Sequence, residues 1–261
     1  MATYLDRIIA EHRADAARDS RSLDDLVDDA LSMPPARGFR GALQAPGLSV
    51  ISEIKRRSPS KGDLFGDLDP ATLAVQYEGG GAACLSVLTD APNFGGSPDD
   101  LQAARSSVAL PALRKDFTVH ERDVLDARLM GADAVLLIVA ALTDDELQRF
   151  HRLAVDVGLD VLVETHDEPE LERALAAGAT LVGVNQRDLV TFEVDHERAQ
   201  RMGAVMPTGV VSVAESGVRG PEDAATLASA GYDAVLVGES LVTSGDPEAA
   251  VRALREAGTC S

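Results

Sequence analysis

Eight short, strongly apolar runs recur along this chain at near-constant spacing, and that rhythm constrains the fold more than any other feature. They read LSVISEI (48–54), ACLSVL (83–88), LPALR (110–114), AVLLIV (134–139), VLVE (161–164), LVGVN (181–185), GVVSVAE (209–215) and AVLVG (234–238). Their starts advance by roughly 26 or 27 residues, which leaves room for one crossover helix between successive parallel strands. The intervening segments carry helix boundaries. Asp69-Pro70 and Gly220-Pro221 place proline in a first helical turn, Thr143 and Glu146 form a capping-box pair, and Gly158 closes the helix they open. Gly-Ala-Asp-Ala-Val (131–135), Gly-Ala-Thr-Leu-Val (178–182) and Gly-Tyr-Asp-Ala-Val (231–235) each lead from a helix C-cap into a strand. Eight repeated units predict an α/β fold, a closed (β/α)8 TIM barrel over residues 48–261. An open doubly wound sheet is the alternative; the regular eightfold repeat and the lack of a glycine-rich dinucleotide fingerprint argue against it.

Residues 1–47 have a different texture. Leu5, Ile8 and Ile9, then Leu23, Leu26, Val27, Ala30 and Leu31, recur at helical spacing until Pro34-Pro35 stops the second run. This stretch is too short for a core of its own, so it is expected as a helical N-terminal extension packed on the barrel. The acids of LDDLVDDA there read as the wet face of a helix.

Composition narrows the function. Ala134–Leu142, the longest wholly apolar run, falls far short of the roughly 20 residues of a membrane span, and the N-terminus is charged; a soluble, cytoplasmic protein is expected. Cys84 and Cys260 suggest neither a disulfide framework nor a metal site. A formal charge of -19 argues against nucleic acid as a partner, and an anionic ligand would need a local exception. Lysine occurs only at Lys55, Lys61 and Lys115, against an otherwise all-Arg set of fixed cations. Two readings of that skew stand: a salt-adapted acidic surface, or a coding bias that exchanges Lys for Arg. Stability in molar KCl compared with dilute buffer separates them.

In a barrel of this kind the C-terminal ends of the strands form the active-site face. Glu53 and Lys55 end strand one, Thr89-Asp90 follow strand two, and Lys115-Asp116 follow strand three. Glu164, Asn185 and Glu215-Ser216 end strands five, six and seven. Any one of these could be a solvated loop residue, but so many strand ends agreeing points to a site. An ammonium can be tuned to give up a proton where a guanidinium cannot, so lysine kept at 55 and 115 suggests acid catalysis. Lys61 reads equally as a loop cation steering an anionic substrate or as a plain surface residue. Gly217 after strand seven and Gly238-Glu239 after strand eight mark turns where backbone N–H groups can approach a phosphate. The five histidines show no paired ligand spacing and read as single surface residues, and no Ser-His-Asp arrangement is legible.

SEIKRRSPSKG (52–62), LSVLTDAPNFGGS (85–97), LRKDF (113–117), VLVETHD (161–167), VGVNQRDL (182–189) and AESGV (214–218) together resemble the motifs of the indole-3-glycerol phosphate synthase family. The resemblance runs through the whole chain. It implies a TIM barrel that closes 1-(2-carboxyphenylamino)-1-deoxyribulose 5-phosphate to indole-3-glycerol phosphate with loss of carbon dioxide and water, in tryptophan biosynthesis, without a metal or organic cofactor. Carried over by motif, Lys115 resembles the general acid on the substrate ketone. Lys55 resembles the lysine that engages the anthranilate carboxylate or serves as acid in dehydration. Glu53 and Glu164 match acid/base carboxylates, Asn185 a positioning amide, and Glu215 with Ser216 the strand-seven pair. Phe94 and Phe117 look like an apolar wall for the aromatic ring. Ser58, Gly217, Gly238 and Glu239 would surround phosphate, Glu239 mainly through its backbone N–H, and Arg187 resembles a supporting ion-pair or ligand residue. The chain departs from the family pattern at Gln186, often Asn, and at Glu239, often Ser. Arg56 and Arg57 either touch the substrate or only hold their loop by ion pairs, and the second is expected. The partner is then a small anionic phosphorylated substrate, with the chain a monomer or weak homo-oligomer. Two other functions share some of these features: another phosphosugar isomerase or lyase on the same barrel, and a non-catalytic phosphometabolite-binding protein.

Overall fold

A computed structural model describes residues 3–58, 62–63, 68–188 and 193–258; Lys61 and Cys260 lie outside them. The eight runs form β1 (Ser49–Ile54), β2 (Cys84–Leu88), β3 (Ala112–Lys115), β4 (Ala134–Ile138), β5 (Asp160–Thr165), β6 (Leu181–Asn185), β7 (Val211–Glu215) and β8 (Ala234–Val237). Each pairs in parallel with its sequence neighbours, and β1 pairs with both β2 and β8, which closes the barrel. The apolar run 134–142 is longer than its strand because β4 passes into a single 3-10 turn, Val139–Ala141.

Strand alternation divides the core in two. Ile51, Cys84, Leu113, Leu136, Leu162, Leu181, Val213 and Leu236 point inward and fill the barrel, while Val50, Leu85, Val135 and Val163 face the helices. Both faces of each strand are therefore dry, which is why the sequence shows continuous apolar runs. The same period of two places Glu53, Lys115, Glu164 and Glu215 on the inner face, each two residues beyond an inward apolar side chain. Caps fix the helices between strands. Asp69 accepts from Thr72 N–H at the start of helix Pro70–Gly80, and Gly81, with φ 86°, ends it in the left-handed region. From that helix the buried Tyr77 hydroxyl donates to the Glu53 carbonyl at 3.0 Å and ties down the end of β1.

The N-terminal segment reaches both ends of the barrel. Helix α1 (Tyr4–Arg18) lies against the C-terminal face, where Tyr4, Leu5 and Ile8 line the central cavity. Helix α2 (Leu23–Ser32) buries Leu26 and Ala30; its acids are exposed, and so is Leu31, which the periodicity assigns to the apolar face but which is 59% exposed. Beyond it, Phe39 and Leu43 are buried against the inner barrel cluster and stop its N-terminal end. Backbone N–H groups of Arg37 and Arg40 donate to Asp133 and Asp160, the residues that lead into β4 and open β5, at 2.7 and 2.8 Å. Truncating a buried Phe such as Phe39 to Ala costs about 3–5 kcal/mol, so this plug is a substantial part of the barrel's stability.

Candidate active site

The C-terminal mouth opens into a cavity of about 550 Å³. At its centre Lys115 Nζ donates to Glu164 Oε2 at 2.9 Å and to Glu215 Oε2 at 3.0 Å. The lysine side chain is 14% exposed and each carboxylate 2%. Two carboxylates on one ammonium, all nearly dry, cannot share charge evenly. Burial disfavours the ammonium, but Glu164, Glu215 and Glu53 outweigh it and make Lys115 hold its proton more firmly than a free lysine. Burial also disfavours the Glu164 anion, yet Lys115, His166 and the Asn185 amide hold it below the ordinary carboxylate range. For Glu215, burial together with the Glu164 charge outweighs Lys115, and its carboxyl is pushed up to about 7. One carboxylate is thus kept ionised and its neighbour is poised to carry a proton.

A second pair stands beside the first. Lys55 Nζ donates to Glu53 Oε1 at 2.5 Å, both from the end of β1. Asn185 Nδ2 donates to Glu164 Oε1 at 3.0 Å, and its own oxygen accepts the Arg187 backbone N–H at 3.0 Å. Gln186 donates to the Ser216 carbonyl at 2.7 Å. Ser216, at the mouth of the site, has φ 66°, a positive value that no other non-glycine residue takes among the described residues.

The walls differ in chemistry. Phe94 and Phe117 stand after β2 and β3 with ring centroids 6.3 Å apart, and Leu5 and Ile8 of α1 extend that surface. After β7 and β8, Gly217, Gly238, Glu239 and Ser240 line the cavity, joined where the Ser240 hydroxyl donates to the Val218 carbonyl at 2.9 Å. Arg187 lines the cavity as well. Ser58 pairs through its backbone with Gly62 in a two-residue ribbon; its side chain lies outside what is described, so its assignment to phosphate has no geometry here.

Several expectations change. The strand-end acids Asp90 and Asp116 line the cavity but are already engaged by neighbouring donors. Asp90 accepts from His12 of α1 at 3.0 Å and caps Asn93, while Asp116 accepts from Arg114 and Thr89. His12, Asp90 and Asp116 are the one set of potential ligands close enough to share an ion among the described residues, and both carboxylates are already engaged by these donors. Nor are the histidines simply scattered on the surface: His12 and His166 are largely enclosed and paired with carboxylates. Arg56, by contrast, does hold its loop, donating to Asp100 at 2.8 and 2.9 Å and to the Leu68 carbonyl at 2.7 Å.

Sequence patterns alone left some site residues unseen. Tyr4 carried no signal, and Leu5 and Ile8 showed only an apolar helix face. Gly183 and Gly238 prove to be spaces for carboxylates. A Cβ at Gly183 would sit 2.0 Å from Glu215 Oε1, and one at Gly238 would sit 2.6 Å from Glu53 Oε1. Gly183 interrupts an inward-facing row of β6, which was the available signal.

Against known proteins, residues 5–254 match the family model described as indole-3-glycerol phosphate synthase. The chain belongs to that family. The indole-3-glycerol phosphate synthase of Mycolicibacterium smegmatis is 51% identical over 99% of this chain and 96% of its own. Indole-3-glycerol phosphate synthase 1 of Streptomyces coelicolor is 52% identical over 98% and 96%. Among solved structures, thiamine phosphate pyrophosphorylase from Pyrococcus furiosus superposes with a TM-score of 0.61 at 17% identity, covering 80% of this chain and 95% of its own, a likeness of fold alone. The motifs by which the sequence resembles indole-3-glycerol phosphate synthases supply Lys55, Lys115, Glu164, Asn185 and Glu215 to one cavity.

Proposed function

We propose that the chain catalyses the indole-3-glycerol phosphate synthase reaction: ring closure, decarboxylation and dehydration of 1-(2-carboxyphenylamino)-1-deoxyribulose 5-phosphate, in tryptophan biosynthesis. The observation that carries this reading is Lys115 held between Glu164 and Glu215, beside an apolar aromatic wall and near two glycine turns. The aromatic ring lies against Phe94 and Phe117. The phosphate lies at Gly217, Gly238 and the Glu239 backbone, with Ser58 and Arg187 completing the anion's surroundings.

The first step forms a carbon–carbon bond between the carboxyl-bearing ring carbon and the ketone carbon. Electrons of the carbonyl bond move to oxygen, which takes the proton of Lys115. A developing alkoxide is more basic than even a firmly held ammonium, so the proton goes to the substrate and the lysine neutralises charge where it builds. Loss of carbon dioxide returns its bonding electrons to the ring. Dehydration then needs an acid to expel the hydroxyl as water and a base to take the proton from the carbon next to nitrogen. Lys55 supplies the acid or holds the departing carboxylate, and Glu53 and Glu164 are the available bases. Asn185 aims Glu164 and a substrate hydroxyl, while Glu215 and Ser216 bound the site from β7. Because these groups set one another's charge, the proton steps belong to the cluster as a unit.

Turnover of the carboxyphenylamino substrate, followed by the appearance of indole fluorescence, tests the proposal. Folded protein that gives no product at either low or high salt refutes it.

A further inference from the structure

One enclosed titratable group beside the cluster has no part in these steps. His166 lies two residues beyond Glu164 at the end of β5, and its side chain is 13% exposed. On one side Glu170 Oε2 accepts the His166 backbone N–H at 2.8 Å and meets ring Nδ1 at 3.0 Å. On the other, Nε2 is buried, has no hydrogen-bond partner among the described residues and lies 3.6 Å from Glu164 Oε1.

Carboxylates accept and do not donate, so the Glu170 contact requires a hydrogen on Nδ1. A neutral ring would then aim the Nε2 lone pair at Glu164, two acceptors facing each other where water does not reach. A second hydrogen, on Nε2, removes that conflict and leaves an imidazolium between two anions. Glu164 would then be met by cations or donors from three directions: Lys115, Asn185 and His166.

We propose that His166 is a positioning residue that acts through Glu164: clamped as an imidazolium by Glu170, it keeps Glu164 ionised and aimed at Lys115. Among the described residues, the charged groups facing the ring are Glu164 of β5, Glu170 of helix Glu168–Ala176 and Arg198 of helix His196–Val205, with Lys115 beyond Glu164. Burial and Arg198 oppose the imidazolium, but the two carboxylates outweigh them and hold the proton above the ordinary histidine range. The kinetic consequence rests on the synthase reading, whereas the charge state of the ring does not.

Two measurements therefore go together. Imidazole 15N NMR of the whole protein, with the His166 signal identified by its loss in His166→Gln, should show both ring nitrogens protonated at pH 7. Glu170→Gln should lower the titration midpoint by about one pH unit. In steady-state kinetics, His166→Gln should lower kcat about tenfold with KM little changed. The acidic limb of its kcat profile should move up by about one pH unit, because Glu164 has lost a neighbouring cation. A neutral His166 at pH 7 overturns the inference whatever the turnover, and so does a variant that loses thermal stability with an unmoved pH profile. Should His166→Gln not fold, Glu170→Gln takes its place, with activity predicted to fall away at lower alkaline pH than in the parent protein. An inactive parent protein would sink the synthase reading, and the NMR titration would then decide the inference by itself.

Discussion

Gly183→Ala is a single-methyl probe of the catalytic cluster. Gly183 lies on the inner face of β6 and is not among the glycines with positive φ, so the backbone itself accepts alanine. The added Cβ would stand 2.0 Å from Glu215 Oε1, 3.1 Å from its Cδ and 3.4 Å from Leu162 Cδ1. Ordinary contact between non-bonded atoms is about 3.5 Å, so the carboxylate must withdraw by more than about 1 Å. The 3.0 Å contact between Glu215 and Lys115 then fails while the 2.9 Å contact to Glu164 survives. A misplacement of about 1 Å in an active site can lower turnover about a hundredfold, equivalent to about 2.7 kcal/mol in the barrier. Stability should fall by a comparable or smaller amount. Overpacking costs about 1–3 kcal/mol, and relief of glycine's backbone entropy returns about 0.5–1 kcal/mol. Indole-fluorescence kinetics beside thermal unfolding separates the two effects. A variant that folds and turns over at nearly the parent rate would refute the idea that the Glu215 carboxylate must occupy the space beside Gly183.

Lys115→Ala should reduce turnover at least about a hundredfold, within the usual range for a general acid; near-normal steady-state kinetics would remove it from that role. Glu215 should also shape stability against pH. Burial and the Glu164 charge push its carboxyl from the free value of 4.5 up to about 7, so the folded state binds the extra proton and loses stability as pH rises through that window. Thermal unfolding of Glu215→Gln across the same range should show a flatter slope than the parent, and an unchanged slope would contradict the shift. His12 gives the α1 contact its own pH dependence. Burial opposes its proton, but Asp90 and Asp116 outweigh burial and raise its pKa, so its contribution is complete below the free value of 6.5 and is lost as pH rises through the raised one. Amide exchange of Tyr4–Arg18, corrected for intrinsic rate, should therefore accelerate at alkaline pH, and His12→Leu should abolish that dependence.

The barrel was legible because each strand is dry on both faces and each helix carries its own caps. Lys115, Glu164 and Glu215 were legible for the related reason that strand alternation and strand ends are visible in sequence. Long-range assignments were not. Helical periodicity marks an apolar face at Leu5 and Ile8 but does not say that this face closes the cavity, nor that Phe39 and Leu43 stop the opposite end. Asp90 and Asp116 look like Glu53 and Glu164 in one dimension; only folding reveals that His12, Thr89 and Arg114 already engage them. Glycine presents the same difficulty. Gly238 reads as a turn open to phosphate, and the structure adds that a side chain there would strike Glu53. His166 reads as a surface residue until Glu164 and Glu170 are seen on either side of it.

A crystal structure with indole-3-glycerol phosphate bound tests the central claim most directly. The account predicts the indole ring against Phe94 and Phe117, the phosphate at Gly217 and Gly238, and Lys115 Nζ beside the ring carbon that bore the ketone oxygen and within hydrogen-bond reach of the adjoining glycerol hydroxyl. A phosphate seated on the phenylalanine wall, or product bound outside the cavity with Lys115 untouched, would contradict it.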